Sequence, residues 1–129
     1  MPRQPSKTLT DKELEIMRAV WELGEGSVKD IQNHLPGQQH YNSILTIIRV
    51  LEQKGRLKHR EEGRTHFYRA TEKPDKTRNH MLGHLVDEVF GGSAASVVLN
   101  LVEAGGLTRK DLAEIRQKIN AAERESGEK

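Results

Sequence analysis

Asn42, Thr46, Arg49 and Gln53 recur at spacings of four and three residues, which places them in one row along a 3.6-residue helix. Ser43 and Leu45 stand on the shoulders of that row. Amide, hydroxyl and guanidinium groups without a partnered nucleophile are equipped for hydrogen-bonded recognition, not for making or breaking bonds. Lys54, Arg56, Lys58, Arg60, Arg64 and Arg69 then place six cations in sixteen residues against two acids, with His59, His66, Phe67 and Tyr68 among them. Such a density of charge with aromatics suits a phosphate-rich partner. Taken alone, the run fits equally well a hairpin whose charges simply face water.

The elements that must position these groups favour the first reading. Ile44, Ile47, Ile48 and Leu51 fall at i, i+3, i+4 and i+7, on the side of the helix opposite the polar row. That stripe must be buried, so the polar row points outward. Lys54-Gly55 ends the helix, since glycine readily takes the left-handed conformation just past a helix end and a cation suits the last turn. Two short segments follow, 57–60 and 65–70, separated by Glu61, Glu62 and Gly63, and read as a β-hairpin. A polar-faced helix running directly into a basic hairpin is the second half of a winged helix-turn-helix, in which the helix enters the major groove and the wing lies along the phosphates.

Upstream, Thr10 and Glu13 form a capping box flanked by the staple pair Leu9 and Leu14, opening a helix over 11–23 that ends at Gly24. Met17, Val20 and Trp21 should face the core, with the Trp21 indole largely buried. Ser27 and Asp30 open a second, short helix carrying Val28, Ile31 and Leu35, which Pro36 and Gly37 terminate. Three helices and a hairpin thus fill residues 9–71.

Downstream of a short linker at 72–75, Leu82, Leu85, Val86, Val89 and Phe90 form another apolar stripe, ended by Gly91-Gly92. Ser93 caps a helix whose Val97, Val98, Leu99, Leu101 and Val102 leave Asn100 almost alone as a polar group, and a helix apolar all round must be covered on several sides. Thr108 and Asp111 cap a last helix with Leu112, Ile115 and Ile119 inward and a polar tail from Glu123 that should fray. About fifty residues seldom fold alone. A second copy would complete the core, which makes Leu82, Leu85, Val86, Val89, Phe90, Val98, Leu101, Val102, Leu112, Ile115 and Ile119 the candidate dimer contacts. The expected architecture is mainly α with a small β-hairpin: a winged-helix DNA-binding domain over 1–73 and a helical dimerisation domain over 74–129.

Composition narrows the alternatives. Residues 1–71 hold 12 Lys/Arg against 9 Asp/Glu and residues 72–129 hold 9 against 10, an asymmetry too mild for binding by bulk attraction alone, so geometry must contribute. No apolar run approaches a membrane span and MPRQPSK lacks the apolar core of a signal peptide, so a cytoplasmic protein without membrane insertion is expected. The absence of cysteine excludes disulfides and thiolate metal sites. His80 and His84 have i, i+4 spacing but no further ligand nearby in sequence, so no metal and no cofactor are expected. Neither a nucleophile elbow nor a phosphate loop occurs, and an enzyme is not expected.

Four segments together resemble the penicillinase-repressor (BlaI/MecI) family of bacterial winged-helix regulators: LTDKELEIMRAVWELG, YNSILTIIRVLEQKG, EEGRTHFYRA with Gly63, Arg64 and Tyr68 on the family's Gly-Arg-x-x-x-Tyr, and SVVLNLVEAGGL. The similarity runs from Leu9 to about Glu123. It implies a homodimeric repressor on a palindromic double-stranded DNA operator. Its implied partner is a membrane-bound metallopeptidase sensor or a downstream protease, with cleavage after an Asn in the dimerisation helices. The matching bond is Asn100-Leu101, where family examples carry Asn-Phe; a buried Asn that sets register across a dimer is the alternative role for Asn100. Val50 stands where many relatives place Arg, and the cysteine pairs of copper-responsive relatives are missing. The candidate DNA-binding set is Asn42, Ser43, Thr46 and Arg49 on base edges, Leu45 on thymine methyls, Lys54, Arg60 and Arg64 on phosphates, and Tyr41 beside them. The rival from another class is a winged-helix protein-interaction module whose wing meets an acidic protein surface.

Overall fold

The computed structural model describes residues 8–127, and the opening MPRQPSK lies outside them. In chain order the elements are α1 (Asp11–Leu23), α2 (Val28–His34), α3 (Tyr41–Gln53), β1 (Leu57–Glu62), β2 (Thr65–Ala70), α4 (Pro74–Val89), α5 (Ala94–Glu103) and α6 (Arg109–Gly127). Both expected capping boxes form, with Thr10 and Glu13 exchanging bonds at 2.9 and 3.1 Å and Ser27 and Asp30 doing the same at 2.9 and 3.1 Å. The C-terminus of α3 closes as a Schellman motif. Gly55 at φ +77° lets the Arg56 N–H reach Leu51 O at 2.9 Å and the Gly55 N–H reach Glu52 O at 3.0 Å, turning the chain sharply into β1.

β1 and β2 pair antiparallel from Leu57↔Ala70 to Glu62↔Thr65. β1 is therefore two residues longer than its sequence suggests, and Glu61 and Glu62 lie in the strand. The turn is the pair Gly63-Arg64, with φ +64° at Gly63 and no positive φ at Arg64. A positive φ at the first position alone marks a II′-type turn, whose twist suits a two-residue hairpin and which glycine at that position makes cheap. Gly26, in the α1–α2 connection, adds an antiparallel bridge to Tyr68, with bonds of 2.8 and 3.1 Å. The wing is thus tied back to the helices at its base.

The chain divides into two compact units, 1–84 and 85–129. In the first, Ile16, Met17 and Val20 of α1, Val28 and Ile31 of α2, Ile44, Ile48 and Leu51 of α3, Leu57 and Tyr68 meet in one core. Ile47 packs at its edge. Trp21 packs against the edge of this core, and its Nε1–H donates to Glu72 O at 3.0 Å, so the ring serves as a polar-tipped clamp on the segment after β2.

The second unit comprises the end of α4 with α5 and α6. Ser93 caps α5 through Ser96 N, and Thr108 and Asp111 form a third capping box at α6. Within α5 only Val97 is buried, and α6 buries no residue. The tail departs from expectation as well, since α6 continues as regular helix through Glu123 to Gly127. Ala121 and Ala122 favour the helical state there. No single helix among the described residues is long and apolar enough to cross a membrane.

Candidate nucleic-acid interface

The burial of Ile44, Ile48 and Leu51 fixes the rotation of α3 about its axis, and Asn42, Ser43, Thr46, Arg49 and Gln53 consequently lie on its exposed side. Tyr41 is exposed at the helix start and Leu45 is half-buried on the flank. Thr46 Oγ1 donates back to Asn42 O at 2.9 Å, which leaves the hydroxyl oxygen able to accept. The start of α3 is held by a relay of amides: Gln32 Nε2 donates to Gln39 O at 2.8 Å and Gln39 Nε2 to Glu15 Oε1 at 2.6 Å. The polar row therefore rests on a helix anchored from two others.

The register of the hairpin sorts its side chains by face. Lys58, Arg60, Phe67 and Arg69 share one face, with the Arg60 guanidinium 4.7 Å from the Phe67 ring centre. His59, Glu61, His66 and Tyr68 share the other. Between that second face and α3 opens a groove of about 620 Å³, bordered by Tyr41, Leu45, Arg49, Glu52, His59, Arg64, His66 and Tyr68, with Ser27 to Lys29 at the start of α2. Burial and the nearby Glu52 carboxylate push the Tyr68 phenol up, so it stays neutral at the groove floor. Arg49, Lys58, Arg64 and Arg69 form no salt bridge among the described residues and are exposed, which leaves their charge for a partner.

Half of the basic run does something else. Lys54, expected at phosphates, is drawn into the fold: its ammonium donates to Glu13 Oε1 at 2.7 Å and Thr8 O at 2.8 Å, and both side chains of the pair are only 6% exposed. Burial by itself would raise the Glu13 carboxyl, but hydrogen bonds from Lys54 and Thr10 outweigh it and hold the group below its ordinary value. Arg56 is buried with its guanidinium 2.9 Å from Glu72 Oε2. Arg60, also expected at phosphates, reaches Glu25 Oε1 at 2.6 and 3.0 Å and Glu62 Oε2 at 2.9 Å, and these two carboxylates raise its already high value. A phosphate would have to displace them. Of the three expected phosphate contacts, Arg64 at the wing tip keeps an open charge.

Comparison with known proteins decides the family. Residues 9–121 match the penicillinase repressor family. The chain belongs to that family. It is a winged-helix transcriptional repressor, a bacterial DNA-binding regulator and not an enzyme. An uncharacterised 16.5 kDa protein in the ptsI 3′ region of Latilactobacillus sakei is 28% identical over 115 residues, covering 88% of this chain and 79% of that one. The penicillinase repressor of Bacillus licheniformis is 25% identical over 114 residues, covering 84% and 87%. Among solved structures, the DNA-binding domain of the repressor BlaI is 26% identical, with a TM-score of 0.48, over 57% of this chain and 90% of that one.

Several members of this repressor's surface escape sequence reasoning. Lys29 borders the groove from α2, and only the packing of α2 beside α3 reveals it. Lys58 and Arg69 sit opposite one another across the strands, a neighbourhood that follows from register and not from spacing. Leu82, at the end of the first unit, and Leu85, Val89, Val98, Leu101, Val102, Leu112 and Ile119 of the second are exposed in the single chain, while Val86, Phe90 and Ile115 are half-buried. Asn100 and Leu101 are exposed and lie inside the regular helix α5.

Proposed function

We propose that this repressor acts as a homodimer on a palindromic operator, with one α3 in each major-groove half-site. The observation that carries the reading is the division of α3. Its apolar stripe faces the core, with Ile44, Ile48 and Leu51 buried and Ile47 at the edge, while Asn42, Ser43, Thr46 and Arg49 form a solvent-facing row beside a wing that ends in Arg64. Arg49 suits a guanine edge and Asn42 an adenine edge, with Leu45 against thymine methyls and Tyr41 and Arg64 at the flanking phosphates. Lys58 and Arg69 add charge on the wing's outer face in place of Lys54, which holds the fold together.

A second copy is the natural cover for the exposed leucines and valines of α4, α5 and α6, and a two-fold axis between the copies sets half-sites about 10 base pairs apart or a multiple of that. Derepression follows from cutting Asn100-Leu101 after α5 unwinds locally, since a protease takes an extended strand and not a helix. The signal comes from a membrane-bound metallopeptidase sensor or a protease downstream of it, and the repressor itself works in the cytoplasm. Asn100 facing its counterpart across the dimer is the other role open to that residue.

Fluorescence anisotropy tests the reading on the duplex upstream of this protein's own gene, beside a scrambled duplex, at two salt concentrations. Preference for the native duplex by a factor of about 10³ or more, with affinity falling steeply with salt, is the expected result. Equal weak binding to that duplex, the scrambled one and tiled genomic fragments would contradict it and favour a protein-interaction module.

A further inference from the structure

The inner face of the wing gathers a set of side chains that DNA recognition does not use. Glu61 and His66 are direct cross-strand partners, and His59 lies two residues along β1 on the same face. The two imidazoles stack with ring centres 4.3 Å apart and planes within 6°, so their in-plane lone pairs run parallel and one ring has to turn about its χ2 before both can meet one ion. One ligand atom from each of His59, Glu61 and His66 can be chosen so that all three lie within 4.8 Å of one another. His66 Nε2 is already 3.0 Å from Glu61 Oε1. On the far side, Glu52 of α3 meets His59 Nδ1 through Oε2 at 2.5 Å.

We propose that His59, His66 and Glu61 form a site for a borderline divalent ion of the zinc, nickel or cobalt class, with Glu52 orienting His59 from outside the ligand set. Two imidazoles and one carboxylate are a common catalytic-zinc donor set, with bonds of about 2.0–2.2 Å, whereas calcium and magnesium favour all-oxygen cages. A carboxylate on the remote ring nitrogen fixes the tautomer and ring orientation of a ligating histidine, and the engagement of Nδ1 by Glu52 leaves Nε2 of His59 to face the ion. His59 and His66 both border the groove beside Arg49 and Arg64. A bound dication there offsets the charge of Glu52 and Glu61 and ties the wing to α3 through His59. On the operator-binding reading above, the ion therefore strengthens DNA binding and acts as a corepressor.

The test has two arms. Cobalt(II) is first titrated into the full-length protein without DNA and followed by visible absorption and calorimetry. One ion per chain with saturable binding is expected, with at least a tenfold loss of affinity in His59→Ala and in His66→Ala, a 10- to 100-fold loss in Glu52→Gln, and no change in a His80→Ala/His84→Ala double variant. All these side chains are at least partly exposed, and circular dichroism confirms that the variants fold. Failure to saturate, or binding that persists in both wing variants, would overturn the site. Operator anisotropy with and without zinc then reads the coupling: tighter binding with the ion supports it, and unchanged or weaker binding at saturation overturns it without touching the DNA-binding reading.

Discussion

The two units of this repressor place their large apolar side chains differently. In the first, α1, α2 and α3 direct nearly all of them into one core, where Ile48 and Leu51 are 0% exposed. In the second, Leu99 is 60% and Val89 66% exposed, and α6 buries nothing. On the proposed homodimeric, operator-binding reading, the contrast separates two tasks. A surface that reads DNA has to be rigid in the single chain, because the positions of Asn42 and Arg49 depend on how α3 is seated. A surface that joins two chains has to be left open by each, and exposed apolar patches of this kind mark interaction sites.

Substitutions can break or sharpen that contrast. The largest expected effect lies at the buried ion pair. Lys54→Met strands the Glu13 carboxylate and should cost about 3–5 kcal/mol in urea unfolding, with DNA binding lost through unfolding and not through a missing phosphate contact. Acid unfolding checks the same pair by its sign. The Glu13 carboxyl is held below its ordinary value, so its contribution is complete above about pH 4.5 and is lost as pH falls through the folded-state value. In Lys54→Met only the Thr10 bonds still oppose burial, so the depression and with it the Glu13 share of the acid-induced loss should shrink.

Next come three truncations in the first unit. Leu51→Ala should cost about 2–5 kcal/mol at every protein concentration, because it opens a cavity inside one chain. Arg49→Ala should lose about 1–3 kcal/mol of operator affinity with relaxed sequence preference, whereas Arg64→Ala should weaken all duplexes alike and reduce the salt slope by about 1. Equal losses of Arg49→Ala on operator and random duplex would remove Arg49 from base recognition. The smallest effect is Leu99→Ala in the dilute single chain, within about 0.5 kcal/mol, as for an exposed residue. Its cost should grow with protein concentration as dimers form.

The helices were legible in the sequence because their signals are local. Thr10 with Glu13, Ser27 with Asp30 and Thr108 with Asp111 each name a helix start within four residues, and all three boxes form. The polar and apolar sides of α3 were legible for the same reason. The fate of individual charges was not. Lys54 and Arg56 look like part of a basic patch until Glu13 and Glu72, 41 and 16 residues away in sequence, come to meet them. The hairpin turn was misplaced because Glu61 and Glu62 favour strands weakly, and the twist supplied by Gly63-Arg64 decided the register. That register is also what brings His59, Glu61 and His66 together, which spacing along the chain does not disclose.

Sedimentation equilibrium of the full chain, free and on its operator duplex, tests the central claim most directly. The account predicts a species of twice the 14.6 kDa chain mass at micromolar concentration without DNA, and two chains per duplex with it. A single-chain mass at every concentration, with one chain per duplex, would contradict it and leave the open apolar surface of α5 for a different partner.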